Sequence, residues 1–214
     1  MGHCIGARPR GPPPVARIAL IGHHPGMPNP ALIVHGGAWD IPDAEVSDHR
    51  EALAAALATG RERLRAGDPA LDVVVAVIAS LEDHPALDAG IGAVLNRAGG
   101  IQLDAGIMDG ASRDFGAVVC ARRIRHPIAA AAHLVRRGHR QCSLLAGADA
   151  DAWAAAEGLE TVDPETFILR NECQFFYETI PRWKDERVNR WFDTNLRYND
   201  GDTIVMAMKM SIIV

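Results

Sequence analysis

Residues 81–96 read Leu-Glu-Asp-His-Pro-Ala-Leu-Asp-Ala-Gly-Ile-Gly-Ala-Val-Leu-Asn, and they continue an uncharged apolar run that begins at Val73. The run predicts the end of a buried helix, which Pro85 and Gly90 then turn into a tight loop. A helix C-terminus leaves carbonyl oxygens without intrahelical partners, and hard oxygens clustered in a loop suit Na⁺ or a similar cation. On these residues alone an ordinary helix end and turn is favoured, and a cation loop is the alternative.

Two helices are predicted before this loop. In residues 44–66 apolar side chains recur at helical spacing, and Gly67 supplies a C-terminal stop. Asp68 is expected to cap a second helix over residues 70–81, with Pro69 at its first position. The second helix has apolar residues all round, which predicts that it is almost completely buried.

Short β-rich segments follow and precede these helices. Residues 31–35 predict a first strand, and residues 92–96 and 101–104, joined by a four-residue loop, predict a hairpin. Further along, the pattern predicts strands at 116–121 and 143–146 and helices at 127–137 and 149–157. This uneven alternation favours the α+β class, with helices layered on a largely antiparallel sheet, over a doubly wound parallel sheet.

Composition and charge exclude several classes of protein. A chain of 214 residues, 48% hydrophobic and 23% charged, suits one soluble domain. Its 22 basic residues are interleaved with 27 acidic ones, so no basic stripe indicates a nucleic-acid partner. The apolar run at 73–81 is too short to span a membrane. Four scattered cysteines form neither a disulfide framework nor a zinc-ligand pattern, which predicts a cytoplasmic protein.

Thr203 is the candidate nucleophile. It follows a turn-forming Asn-Asp-Gly-Asp segment at 199–202 and begins an apolar, strand-like run. A threonine hydroxyl is inert without a base, but cleavage between Asp202 and Thr203 would expose an α-amino group of pKa ~8 beside it. On spacing alone, the simpler interpretation that Thr203 only starts a strand is favoured.

Taken together, these segments resemble the isoaspartyl peptidase and plant-type L-asparaginase family of N-terminal nucleophile hydrolases, relatives of glycosylasparaginase. The matching motifs lie in family order at residues 35–39 (His-Gly-Gly-Ala-Trp), 81–96, 103–110 (Leu-Asp-Ala-Gly-Ile-Met-Asp-Gly), 116–118, 123–128 and 201–204 (Gly-Asp-Thr-Ile). The long match over 81–110 is highly specific, whereas Gly-Asp-Thr alone would be weak.

The resemblance implies a four-layer αββα sandwich, made as an inactive precursor that is cut between Asp202 and the nucleophile Thr203. Residues 1–30 would form a flexible N-terminal extension, 31–158 the α-chain core, 159–202 a linker to the cleavage site and 203–214 a stub of the β chain. The family's sodium-binding backbone carbonyls would fall on six residues: Leu81, Glu82, His84, Leu87, Ala89 and Ile91.

The reaction implied is hydrolysis of the amide on an aspartyl side chain, in β-aspartyl dipeptides or L-asparagine, with no cofactor required beyond a structural Na⁺. Homodimers of αβ units are expected. The family places its oxyanion and substrate-binding groups downstream of the nucleophile, so substrate-binding residues stay unassigned here. Because the tail after Ile204 resembles no family segment, a frameshift or truncation is expected; the alternative function is an inactive remnant with a structural or interaction role.

Overall fold

The computed structural model describes residues 30–37, 41–96, 99–137 and 142–169. Within these ranges the helices are α1 (Val46–Ala66), α2 (Ala70–Glu82), α3 (Pro127–Arg136) and α4 (Gly147–Ala156). The strands are β1 (Leu103–Met108), β2 (Phe115–Ala121) and β3 (Leu144–Ala146), and a 3₁₀-helix covers Pro164–Phe167. Helices beside one small sheet agree with the predicted α+β class.

The described sheet has the strand order β1-β2-β3 and is mixed. β1 and β2 are antiparallel, with Ile107 opposite Gly116, whereas β2 and β3 are parallel, with Val118 opposite Leu145. The expectation of a largely antiparallel sheet therefore holds only for the first pair of strands. The second pair can be parallel because α3 lies between β2 and β3 in the chain and supplies the crossover that parallel strands need.

Helix α1 ends where the sequence predicts, at Gly67, which has φ of 83° and donates its N–H to the carbonyl of Leu64. The prediction that Asp68 caps α2 is wrong. Its carboxylate accepts a hydrogen bond from Arg63 at 3.0 Å, and no side chain caps the first turn of α2. The ion pair keeps this carboxylate on the α1 side of the turn.

Helix α2 is nearly enclosed, as its apolar sequence predicts. On one side Val77 and Leu81 join a core cluster with α1, and on the other side Ile78 joins a cluster with α3. Gly60 lets α1 approach closely, because a Cβ there would lie 2.8 Å from Val77 Cγ2. Full burial of a valine, leucine or isoleucine side chain stabilises a fold by about 1.5–3 kcal/mol. With such side chains buried on both sides, α2 is the central element that fixes where the following loop begins.

The predicted strand at residues 31–35 is wrong as a strand. Burial alternates along it, with Leu32 and Val34 buried and Ile33 exposed, but no described strand pairs with it. The sequence predicted an extended segment here but could not predict its pairing, because backbone pairing requires a partner strand that the local sequence does not specify.

The predicted hairpin of residues 92–96 with 101–104 is also wrong. Gly92 has φ of 95° and donates its N–H to the carbonyl of Phe167, so the chain turns toward the 3₁₀-helix. Asn96 donates its N–H to Gly100 at 2.8 Å within a local turn. The strand β1 pairs with β2 instead.

The remaining predicted elements are confirmed to within two residues. Helix α3 packs directly on β2 at Gly116, where a Cβ would lie 2.2 Å from the carbonyl oxygen of Ala131. This close contact fixes the position of α3 relative to the sheet. None of the described helices combines the length and apolar character needed to cross a bilayer.

Candidate cation-binding loop

The loop that follows α2 folds back on the end of the helix. The carbonyl oxygen of Glu82 accepts a hydrogen bond from Ile91 N–H at 2.8 Å, which closes the loop. Inside it, the carbonyl of His84 accepts from Leu87 N–H at 3.1 Å. The side chains of Leu87 and Ala89 are buried in the α1–α2 core cluster. The loop is therefore a closed backbone ring attached to the core by apolar side chains.

Two glycines allow backbone oxygens to crowd inside the loop. A Cβ on Gly90 would lie 2.3 Å from the carbonyl oxygen of Glu82. A Cβ on Gly92 would lie 2.3 Å from the carbonyl oxygen of Pro85 and 3.2 Å from that of Leu87. Only glycine fits such positions, so Gly90 and Gly92 allow these carbonyl oxygens to approach the loop backbone closely.

The structure brings all six predicted carbonyls onto this one loop. Three of them accept backbone hydrogen bonds from loop amides, namely those of Leu81, Glu82 and His84. In the described part of the chain the other three accept none, namely those of Leu87, Ala89 and Ile91. Carbonyl oxygens are ligands of the type that Na⁺ accepts, so the chemistry of these groups fits the predicted ion. Cation binding itself stays a prediction.

The side chain of His84 has a role in the turn. Its Nδ1 accepts a hydrogen bond from Ala86 N–H at 3.2 Å. This fits the expectation that His84 would contribute its backbone and not its imidazole. Across the residues that the structure describes, no group of three His, Cys, Asp or Glu side chains is placed to hold a metal ion.

Beside the loop lies a polar clamp, formed by Glu82 and Asp83 at the end of α2 and by Arg125 and His126 before α3. Glu82 Oε2 lies 3.0 Å from His126 Nδ1, and Oε1 accepts a hydrogen bond from Ile128 N–H at 3.0 Å. Asp83 pairs with the guanidinium of Arg125. The side chain of Glu82 is only 1% exposed, so its carboxyl group depends on these partners.

The clamp perturbs the protonation of both its central groups. Burial raises the pKa of Glu82 to about 7, although the hydrogen bond from His126 opposes this shift. The same hydrogen bond raises the pKa of His126. Both shifts favour the protonated forms of the two groups. The carboxyl group also lies at the N-terminus of α3, where it provides the cap that the His126 side chain does not supply.

A second buried carboxylate fixes the segment that carries the clamp. Asp151 on α4 is 7% exposed, and it accepts hydrogen bonds from Arg122 N–H and Arg123 N–H at 3.0–3.1 Å. Arg125 Nη1 is buried and has no hydrogen-bond partner among the described residues. The sequence did not predict the clamp or the role of Asp151, because in each case the contacting residues are far apart in the chain.

The predicted nucleophile and cleavage site, Thr203 and Asp202, lie outside the described residues. So does Trp39 of the first motif. His35 of that motif is described, and its Nδ1 accepts a hydrogen bond from Gly37 N–H at 3.1 Å in an exposed turn. Within the described residues, the candidate site therefore consists of the loop and the clamp.

Comparison with known proteins defines the class. The family model described as "Asparaginase" matches residues 28–200, which is most of the chain. The chain therefore belongs to the asparaginase family. The predicted family is confirmed by this match and by the relatives that carry isoaspartyl peptidase and L-asparaginase in their names.

Several curated relatives align with the same part of the chain. The isoaspartyl peptidase of Salmonella typhimurium is 38% identical over 146 residues, which is 66% of this chain and 46% of the relative. That of Escherichia coli is also 38% identical over 146 residues, 66% of this chain and 45% of the relative. The isoaspartyl peptidase/L-asparaginase of Danio rerio is 35% identical over 139 residues, 65% of this chain and 44% of the relative. The chain spans about half the length of the curated relatives it matches.

Proposed function

We propose that this chain hydrolyses isoaspartyl (β-aspartyl) peptides and L-asparagine, with Thr203 as the nucleophile. The observation that carries the proposal is the family match over residues 28–200 together with relatives named isoaspartyl peptidase. The glycine-framed loop after α2 gives local support, because it lies in the segment where the sequence resembles the family most specifically.

The proposed activation is an intramolecular cleavage. The hydroxyl oxygen of Thr203 attacks the carbonyl carbon of Asp202, the peptide C–N bond breaks, and an ester and a free α-amine are formed. Water then hydrolyses the ester, which leaves a carboxylate on Asp202 and restores the Thr203 hydroxyl. The new α-amine has an ordinary pKa of ~8, so it can act as the base that the hydroxyl needs.

The proposed reaction on substrate follows the same chemistry. The Thr203 hydroxyl oxygen attacks the side-chain carbonyl carbon of the aspartyl unit, and the α-amine takes the hydroxyl proton. The C–N bond breaks, and the proton passes to the departing nitrogen, which leaves as ammonia from asparagine or as the amine of the second residue of a dipeptide. Water then hydrolyses the aspartyl ester and releases aspartate.

A Na⁺ ion in the loop is part of the proposal. The carbonyls of Leu87, Ala89 and Ile91 would hold it, together with the second lone pairs of Leu81, Glu82 and His84. A cation there would hold together carbonyl groups from the end of α2 and from the loop, so its role would be structural. No cofactor is proposed for the chemistry itself.

The four-layer sandwich is proposed on the exposed apolar residues of the sheet. Met108 is 67% exposed and lies opposite Phe115, which is 46% exposed, and Leu144 on β3 is 49% exposed. A second sheet would bury these side chains. Pairing of αβ units into a homodimer follows the family resemblance. A cytoplasmic location is proposed from the four scattered cysteines, whose spacing in the sequence is not that of a disulfide framework.

The test is mass spectrometry of the purified full chain together with an assay of ammonia or amine release from L-asparagine and a β-aspartyl dipeptide. We expect two fragments, the second beginning at Thr203, and hydrolysis of the dipeptide. Thr203→Ala should remain uncut and inactive, whereas Thr203→Ser should still be cut, more slowly. A folded wild-type chain, checked by circular dichroism, that is uncut and inactive would overturn the proposal and favour the structural role.

A further inference from the structure

We infer that the side chain of Glu82 is a positioning residue for the cation loop, and that it couples the geometry of the loop carbonyls to the first turn of α3. The inference rests on the proposed binding of Na⁺ by this loop. It assigns to the Glu82 side chain a role separate from that of its backbone carbonyl.

Glu82 makes connections in two directions. Its backbone carbonyl closes the loop by accepting a hydrogen bond from Ile91 N–H at 2.8 Å. Its side chain accepts from Ile128 N–H at 3.0 Å and lies 3.0 Å from His126 Nδ1. One residue therefore joins the far end of the loop to the beginning of α3. Movement of α3 relative to α2 must shift Glu82, and Ile91 with it.

The segment that leads into α3 is firmly held. Asp151 binds the amides of Arg122 and Arg123. Val162 donates its N–H to the carbonyl of Arg123 at 2.7 Å, and Arg125 donates to Glu160 at 3.0 Å. The clamp therefore connects the loop to a part of the fold that several hydrogen bonds hold in place.

Contacts other than the clamp also orient the loop. Its middle is attached to the α1–α2 core through Leu87 and Ala89. Inside the loop, Asp88 Oδ1 accepts a hydrogen bond from Val94 N–H at 2.8 Å. These contacts act on the middle and the exit of the loop. The Glu82 carboxyl group provides the buried polar link from the start of the loop to α3. Loss of this carboxyl group should therefore leave the loop attached to the core but leave the loop carbonyls less well aligned.

Coupling of this kind is reciprocal. If the Glu82 side chain aligns the carbonyls, then Na⁺ in the loop must in turn stabilise the hydrogen bond between Glu82 and Ile128 N–H. Coupling free energies between sites commonly change affinity by ~5–150-fold. We expect Glu82→Gln to raise the Na⁺ concentration for half-maximal stabilisation about tenfold, because a neutral amide keeps an acceptor for Ile128 but loses its charged contact with His126.

The experiment measures thermal unfolding of the full chain in NaCl and in choline chloride at equal ionic strength. Wild type, Glu82→Gln and a control, Glu157→Gln, are compared. Glu157 is a suitable control because it also contacts a histidine of α3, His133, at 3.1 Å but lies away from the loop. We expect a Na⁺-specific rise in the unfolding temperature for wild type and control at the same Na⁺ midpoint, and a weaker midpoint for Glu82→Gln.

Hydrogen exchange of the wild-type chain provides a second readout that needs no variant. Na⁺ should slow exchange at the Ile128 amide, and should leave the amides of α4 unchanged. A Na⁺ midpoint in Glu82→Gln equal to that of wild type would overturn the inference. So would Na⁺ protection that stops at residue 91 without reaching Ile128, and this second outcome decides the matter if the variant does not fold.

The two proposals fail differently. If wild type shows no Na⁺-specific stabilisation, both the cation loop and this inference are overturned, while cleavage at Thr203 and hydrolysis are still judged by their own assay. If Na⁺ stabilises all three proteins equally, the cation loop stands and the positioning role of Glu82 falls.

Discussion

The carboxylate of Glu82, in the last turn of α2, accepts a hydrogen bond from the backbone N–H of Ile128, which lies 46 residues later in the chain and in the first turn of α3. One side chain thus caps a helix to which it does not belong. Glu82 is also the residue whose carbonyl closes the candidate cation loop. A single residue, Glu82, therefore both caps α3 and closes the loop.

Replacement of Glu82 by alanine should destabilise the chain by about 2–4 kcal/mol. The change leaves the Ile128 N–H and the His126 imidazole without their buried acceptor, and it opens a cavity beside α3. Glu82→Gln should cost about 1–2 kcal/mol, because the amide oxygen can still accept from Ile128. Urea unfolding measures both. Equal losses for the two variants would contradict a role for the acceptor oxygen.

Gly90→Ala should destabilise the chain by about 2–3 kcal/mol and weaken any Na⁺-dependent stabilisation. The added Cβ would lie 2.3 Å from the Glu82 carbonyl oxygen, so the loop backbone must move. Gly110→Ala is the matched control, because a Cβ there meets nothing within 4 Å. We expect that control to change stability by no more than about 0.5 kcal/mol. A harmless Gly90→Ala would show that the loop is not closed as described.

Asp151→Ala should destabilise the chain by about 2–4 kcal/mol, because the amides of Arg122 and Arg123 would lose a buried charged acceptor. Asp149→Ala provides the control on the same helix, since Asp149 is exposed. Its effect should stay near 0.5 kcal/mol, from the first-turn helix dipole. Chemical unfolding measures the difference, and similar losses at the two positions would argue against the assigned role of Asp151.

Asp104 should make a pH-dependent contribution to stability. Burial raises its pKa above 3.8 in the folded chain, although the hydrogen bond from Cys120 N–H opposes the shift. The folded state therefore binds the proton more tightly than the unfolded state. The contribution of Asp104 to stability rises as the pH falls through its folded pKa, and it becomes constant below about 3.8.

The variant Asp104→Asn tests this sign, because its amide oxygen can accept from Cys120 N–H but does not titrate in this range. The free energy of unfolding of wild type minus that of the variant should increase between about pH 7 and pH 3. The free energy of unfolding of both proteins is measured at several pH values. Because the other carboxylates are the same in both proteins, their contributions cancel in the difference. A difference that stays flat, or falls on acidification, would contradict the prediction.

Helices were predicted from the sequence to within about two residues because their signals are local. Gly67 ends α1, and the apolar residues of α2 indicate its burial on both sides. Leu32 and Val34 are buried and Ile33 is exposed, an alternation that fits the extended chain predicted for this segment. What failed was pairing: neither the segment 31–35 nor the segment 92–96 forms the predicted ladder. Pairing depends on distant residues.

In the loop and the clamp, too, some features depend on the local sequence and others on contacts between distant residues. The sequence by itself determined the family, the glycines at 90 and 92, and the six carbonyls on one loop, because these depend on residues close together in the chain. Only the tertiary structure decided that Glu82 meets His126 and Ile128, and that Asp151 holds Arg122. These contacts join residues 29–46 positions apart, and the packing of α3 on Gly116 and α2 brings them together. A buried carboxyl group needs partners, but its own sequence neighbours do not say which residues will supply them.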